Sequence, residues 1–390
     1  MNVIDGQAGL VRYSSLICYS PTINNILNII ILLILAGISI SALTNTGIFQ
    51  KAKDAKQKSE DAALDQNTKL DEYENELDKY LPKKLVDKVN DGTIKVGDYI
   101  SYTPDGASTE NILQELATYS GNTDSTKNTT STLTQEIDKE TGLKWRVLDV
   151  KDGKVRLISD RPTTSIITLS GAKGYNNAVY LLDKTCKTLY NNSKLASNVQ
   201  NLKIEDIQDH LAYDYKQYPN SNVDTGKYGG TKEYTANKNY PNIFAKEKTG
   251  WVDGIQGAEL SLSEQTTPIN ETKTTANEKI KITQTYWYKT MSANDFNGDS
   301  KEMYYKLFIN NGEKNYNAYW MSSRCVDAPS SSARFYVRNV YSGNVGAIAL
   351  SHSNDNEYSG DYAFRPCITL NSNVQVTSGN GTESTPFEIK

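Results

Sequence analysis

The chain holds two histidines, His210 and His352, and neither lies beside a serine, cysteine or glutamate motif of nucleophilic or metal catalysis. Its four cysteines, Cys18, Cys186, Cys325 and Cys367, include no Cys-x-x-Cys pair, so their spacing suits neither a disulfide framework nor zinc. Cys186 shares a helical face with Val179, Leu182 and Leu189 and reads as a small core hydrophobe. Cys325 and Cys367 fall in neighbouring parts of the last block, where either a disulfide or two unpaired thiols would fit. The string through Asp295, Asn297 and Asp299 begins like a calcium loop, but Ser300 and Lys306 stand where that loop needs glycine and glutamate. No glycine-rich phosphate loop is present. The chemistry predicts no catalytic residue, no metal and no cofactor, and enzymatic activity rests only on carboxylate pairs in long loops.

Recognition chemistry is better represented. Tyrosine outnumbers phenylalanine 26 to 7, so much of the aromatic area carries a hydroxyl and suits a half-exposed binding surface. The coding bias of an AT-rich genome would give the same excess. Runs such as ARFYVRNV and AIALSHS alternate apolar and polar residues, with Ser342-Gly343 and Ser359-Gly360 as turns, which predicts strands with one wet face. On that face Tyr336, Arg338 and Tyr341 offer stacking and hydrogen bonds. Asn344, His352, Asn354, Asp355, Tyr358 and Asp361 cluster in the adjoining turns, and these nine residues form the predicted ligand-binding set. Trp320 and Arg365, at the ends of the block, read as core pieces, the arginine needing a carboxylate partner.

The elements that must hold this face begin upstream. Residues 94 to 104 read as a strand, and LKWRVLDV and KVRLIS flank Asp152-Gly153 as a hairpin. Residues 106 to 140 read as a loop with a short helix near Asn111 to Tyr119. Helices are predicted over Asn176 to Asn192 and Ile204 to Leu211, and Tyr213 to Asn277 reads as irregular surface loops.

Ahead of all this, residues 26 to 43 lie in a charge-free run between Arg12 and Lys51, and roughly 20 apolar residues suffice to span a bilayer. The expected plan is an N-terminal segment at 1–22, a transmembrane helix at 23–48 and a helical stalk at 49–82. A surface domain at 93–372 and a tail at 373–390 complete it. Along the stalk Ala52, Ala55, Ser59, Ala62, Gln66, Leu70, Tyr73, Leu77 and Tyr80 make a thin stripe suited to one helix partner. Lys51, Lys53, Lys56 and Lys58 would, by the positive-inside rule, hold the C-terminal side in the cytoplasm. A net charge of −4 with no further basic run argues against nucleic acid.

The stretch LLILAGISISALTNTGIFQKAKDAKQKSEDA resembles the N-terminal helix of type IV pilin-like proteins of Gram-positive bacteria, which implies a C-terminal domain outside the cell. SSLICYSPTINN before the apolar run has no Lys-Gly leader junction, and the apolar helix has no glutamate inside it, which implies a relative that stays in the membrane. A second resemblance spans residues 93 to 372. Tyr319, Trp320, Met321, Ser323 and Arg324 open a block that Arg365, Pro366, Ile368 and Leu370 close. This looks like an uncharacterised bacterial surface domain similar to the C-type-lectin-like fold of formylglycine-generating enzymes. It implies an α+β fold with a twisted antiparallel sheet and long loops. Cys325 and Cys367 do not match the reactive cysteine pair of those enzymes, so their activity is not implied. The leading expectation is a single-pass membrane protein whose extracellular domain binds a glycan, peptide or surface protein, and the alternative is a minor pilin-like subunit of a filament.

Overall fold

A computed structural model describes residues 48–80, 83–105, 110–121, 137, 142–217, 227–236, 262–269, 278–310 and 318–390. The fold is mixed α+β, in two compact units, Met1–Tyr80 and Leu81–Lys390. The apolar run 26–43 and Cys18 lie outside the described residues. Among those described, no helix is long and apolar enough to cross a membrane.

In the first unit, helix α1 spans Ile48–Tyr80. Its Ala, Lys, Gln and Glu content and freedom from proline favour a helix. The pairs Lys56–Glu60 at 3.8 Å and Asp65–Lys69 at 2.8 Å add about 0.3–0.5 kcal/mol each. Leu64, Leu70 and Tyr73 are exposed on it.

The second unit opens with helix α2 (Leu85–Asn90), anchored by Leu85, whose N–H donates to Val374 O at 2.8 Å. Strand β1 (Tyr99–Ser101) is shorter than the predicted 94–104. Helix α3 (Glu110–Tyr119) precedes the hairpin of β2 (Trp145–Lys151) and β3 (Lys154–Ser159). Asp152 and Gly153 take φ of 51° and 69°, the left-handed pair that a two-residue hairpin turn needs. After β4 (Ile167–Ser170), helix α4 (Gly171–Tyr190) buries Val179, Leu182, Cys186 and Leu189 completely, the face predicted for it. Strand β5 (Ala196–Asn201) and helix α5 (Ile204–Gln208) follow.

The region predicted to be irregular contains β6 (Thr231–Ala236), which pairs along its whole length with β7 (Glu278–Thr283). Lys232, Tyr234 and Ala236 alternate with threonine and glutamate there, too polar a pattern to announce a strand. A short β8 (Lys289–Thr290) and helix α6 (Lys301–Tyr305) lead into β9 (Tyr319–Asp327), β10 (Arg334–Tyr341) and β11 (Asn344–His352). Then come β12 (Ser359–Phe364), β13 (Pro366–Leu370), β14 (Val376–Ser378) and β15 (Phe387–Ile389).

Two sheets result. One has the order β14-β15-β1-β2-β3-β13-β5 and the other β4-β12-β9-β10-β11-β8. The chain passes between them at Arg365, the single residue separating β12 from β13. Its guanidinium is fully buried, donates to Ser159 O at 3.0 Å and lies 5.5 Å from the Tyr319 ring centre. Backbone carbonyls and an aromatic face thus stand where a carboxylate partner was expected. Residues 373–390 are no tail, since β15 lies parallel to β1 and Phe387 is buried. The second sheet is mixed rather than antiparallel, because β12 runs parallel to β9 through Ala363↔Tyr319 and Phe364↔Trp320. Ser359-Gly360 is strand, not turn. A Cβ on Gly360 would sit 2.8 Å from the Trp320 ring, so the glycine marks a close approach.

The predicted wet face is overturned for most of the second sheet, which has a core on each side. One core joins Phe335, Val337 and Trp320 to α4, with Tyr175 meeting Phe335 at 5.5 Å. The other joins Val340, Val345, Tyr319 and Met321 to Trp287, Ile207 and Phe308. Every buried hydrophobic residue among those described lies in Leu81–Lys390. Cys186, Cys325 and Cys367 are free and buried, so the Cys325–Cys367 disulfide is not formed.

Candidate functional site

The nine predicted binding residues fall into separate places. Arg338 points into the second core, and Tyr336 is half-buried beside Tyr286 and Asp327. Arg338 is 2 % exposed and donates to Trp287 O at 2.6 Å and Thr285 O at 2.8 Å. Its guanidinium carbon lies 5.1 Å from the Trp287 ring centre, so it is a structural bolt rather than a ligand contact. Tyr336 lies tilted against Tyr286 with ring centres 4.9 Å apart and donates to Asp327 Oδ2 at 3.4 Å, and burial pushes its phenol well up. Alternation placed both residues on a face other than that of Phe335 and Val337, and that face met a second core.

His352 pairs with Arg334 at the open end of the β10–β11 hairpin, and its ring lies 4.8 Å from that of Tyr358. Partial burial and then the Arg334 charge push its pKa down to about 4. Asn354 is exposed, and Asp355, at φ 73°, closes the turn by donating to His352 O at 3.2 Å. Asp361 is exposed on β12 opposite Thr168. Tyr341 and Asn344 sit at the other end of the hairpin, beside the Ser342-Gly343 turn. Eight strand residues at about 3.3 Å each put roughly 20–25 Å between the two ends.

At that second end the sheet carries an uncovered aromatic patch. Tyr288 and Tyr341 are 46 % and 55 % exposed, and Tyr362 is half-buried. Tyr341 and Tyr362 have ring centres 6.4 Å apart, and Tyr362 stands edge-on to Trp320 at 4.7 Å. The floor is Gly346, which pairs with Asn339. A Cβ on Gly346 would lie 3.2 Å from the Tyr288 ring and 3.5 Å from Asn339 Oδ1, so ring and carboxamide converge over the bare backbone. Asn339 is 2 % exposed, and its Nδ2 has no hydrogen-bond partner among the described residues. Such an unmade bond on a buried amide costs about 1–3 kcal/mol. On the rim, Asn344 donates to Tyr341 O and Ser342 O, both at 3.0 Å, and accepts from Thr290 Oγ1 at 2.6 Å.

No protein-family model, curated protein or solved structure matches this chain. Function therefore rests on the geometry of these residues.

Sequence reasoning reached Tyr341 and Asn344 but missed Asn339, Gly346, Tyr288 and Tyr362. One signal was available. In the strand register Asn339 shares its face with Phe335 and Val337, a buried polar position in an otherwise apolar row.

A second polar cluster lies in the other sheet. Arg156, 5 % exposed, donates through Nε to Asp149 Oδ1 at 2.6 Å and through its other nitrogens to Asp149 Oδ2 and Asp206. His210 Nε2 bonds Asp149 Oδ2 at 2.9 Å, and its ring stacks at 4.0 Å on Tyr304. Burial alone would raise the Asp149 carboxyl, but bonds from Arg156 and His210 outweigh it and hold the pKa near 2. These charges satisfy one another. They border a cleft of about 610 Å³ with Lys154, Lys203, Glu205 and Glu264 on its walls, where cations and carboxylates alternate. Asp295, from the calcium-like string, accepts from Ser292 N at 2.7 Å and pairs with Lys289 at 3.1 Å, which occupies it as a helix cap. Among the described residues no group of histidine, cysteine and carboxylates could hold a metal ion.

Proposed function

We propose that this protein is a membrane-tethered module of the bacterial cell surface that binds its ligand at the tyrosine patch of the second sheet. Anchoring is assigned to residues 26–43 and spacing from the bilayer to α1. The Leu81–Lys390 unit is read as a C-type-lectin-like domain outside the cell. The observation that carries the binding reading is the uncovered aromatic surface of Tyr288 and Tyr341 on the second sheet. Solvent-exposed aromatic rings held by a stiff sheet lose little entropy on contact, and the Asn344 and Thr290 side chains on the rim offer hydrogen-bonding groups. The ligand class is a glycan, a peptide or another surface protein.

The test is a screen of the Leu81–Lys390 unit against glycans, peptides and surface proteins, followed by Tyr341→Ala. The expected result is a ligand whose affinity falls by about 1–2 kcal/mol in the variant at unchanged thermal stability. Ligand binding that ignores Tyr341→Ala but is lost on substitutions around His352 and Tyr358 would move the site to the other end of the hairpin.

A further inference from the structure

A sheet edge is a row of main-chain donors and acceptors that another strand can fill, and native proteins guard such edges with cover or charge. Among the described residues, β5, β4 and the β6–β7 pair follow that rule. Helix α4 packs along β5, where Asp183 Oδ1 accepts from Asn201 N at 3.0 Å and Val199 is 2 % exposed. On β4, Ser170 N donates to Ser120 O at 2.8 Å, and the β6–β7 pair carries Lys232, Glu233, Lys279 and Lys281. β11 departs from the rule. β8 pairs with it only at Asn344 and Val345, because the chain before Lys289 leaves the edge for the second core, where Trp287 is fully buried and its O accepts from Arg338. Pairing resumes on that side at Ser351↔Glu357, with Tyr358 N donating to Leu350 O at 2.9 Å. Gly346–Ala349 lie in the gap, carry no charge, and keep Ala347, Ile348 and Ala349 partly exposed.

The register fixes which groups this edge offers. Met291 N donates to Gly343 O at 3.0 Å, so by alternation Val345, Ala347 and Ala349 turn their N–H and C=O to the same side, while Gly346 and Ile348 bond β10. We propose that the open edge of β11 at Ala347 and Ala349 docks a short extended peptide segment of a partner polypeptide, paired as an added strand between β8 and Tyr358. The inference deepens the binding reading above and narrows its ligand class to peptide. Main-chain bonds give such pairing its strength, and the flanking side chains give it selectivity. Ala347 and Ala349 leave room beside the edge, Ile348 is apolar, and the exposed rings of Tyr288 and Tyr358 stand at its two ends, so uncharged apolar side chains fit. The gap is roughly 10 Å long, enough for a few residues in plane. A second copy of β11 does not fit it. In antiparallel self-pairing about Ala347, the copy's Val345, already bonded to its own β8, would meet Ala349.

The experiment screens the full chain against a library of capped octapeptides and follows backbone amide exchange with and without the best binder. In the free protein the Ala347 and Ala349 amides should exchange about tenfold or more faster than those of Gly346 and Ile348, which β10 protects. The binder should be rich in uncharged apolar residues and should slow both alanine amides by about tenfold. N-methylation at every second peptide residue should weaken it about tenfold or more, since a strand bonds one neighbour at alternate residues. Ala347→Pro removes an outward donor and should abolish binding, and the N-methyl series gives the same reading without a protein variant should that chain misfold. Peptide binding that lacks the alternation but falls in Tyr341→Ala overturns the inference and leaves the tyrosine patch as the site. Binding that shows the alternation but ignores Tyr341→Ala supports the edge and overturns the patch. Protection of both alanine amides that grows with protein concentration alone assigns the edge to a second copy and overturns the peptide. No peptide binding, or slow exchange of both amides in the free protein, overturns the inference.

Discussion

Single residues already separate structure from recognition in the second sheet. Trp320 is fully buried, donates through Nε1 to Ile167 O at 2.8 Å and fills the space that Gly360 leaves open. Trp320→Ala should therefore cost about 3–5 kcal/mol, and Gly360→Ala, which pushes a methyl into the ring, about 1–3 kcal/mol. Urea unfolding of the two variants checks both. Equal midpoints for the wild type and Gly360→Ala would show that the ring shifts freely. His352 carries a pH dependence. Its folded pKa of about 4 lies below the ordinary 6.5, so the unfolded chain takes up the proton first. Its contribution is full above pH 6.5 and falls away as pH drops toward 4. Melting curves of the wild type and His352→Gln should converge over that window, and parallel curves would contradict the assignment.

At the scale of elements, the β2–β3 hairpin is fastened to α5 by charge. Arg156 on β3 holds Asp149 on β2 and Asp206 on α5, all three buried. Arg156→Ala leaves two buried carboxylates facing each other and should lose about 3–5 kcal/mol at neutral pH. The sign with acid follows from Asp149. Its pKa is held near 2 against an ordinary 3.8, so its contribution is present above pH 3.8 and is lost as pH falls to 2. Chemical unfolding of the variant should lack that acid-sensitive component, and its persistence would assign it to other carboxylates. The hairpin itself was legible from Asp152-Gly153 between alternating runs, because a two-residue turn with positive φ selects those residues locally. The β6–β7 pair was not, since its strands are far apart in sequence and polar in both partners.

For the whole molecule, all the described core lies in Leu81–Lys390, so a fragment beginning near Lys83 should be monomeric, folded and cooperative in thermal unfolding. Aggregation cured only by restoring residues 26–43 would show that the apolar run belongs to that core. With the proposed orientation, protease added to intact cells should remove everything after Lys51, and full protection would place this unit on the cytoplasmic side. Sequence alone determined what depends on neighbours along the chain. It specified the α1 and α4 helices, the buried stripe through Cys186, the paired runs of β10 and β11, and the core roles of Trp320 and Arg365. Alternation also told which strand residues share a face, since successive side chains must point to opposite sides. It could not tell what covers each face. Water on the face of Tyr336 and Arg338 was the simplest reading, but Trp287 and Tyr286, from a distant segment, made it a second core. The patch was decided in the same way. Tyr288, Asn339 and Gly346 come from separate segments, and only tertiary pairing brings the Tyr288 ring and the Asn339 carboxamide over the glycine, because that contact depends on strand order and register rather than on local propensity.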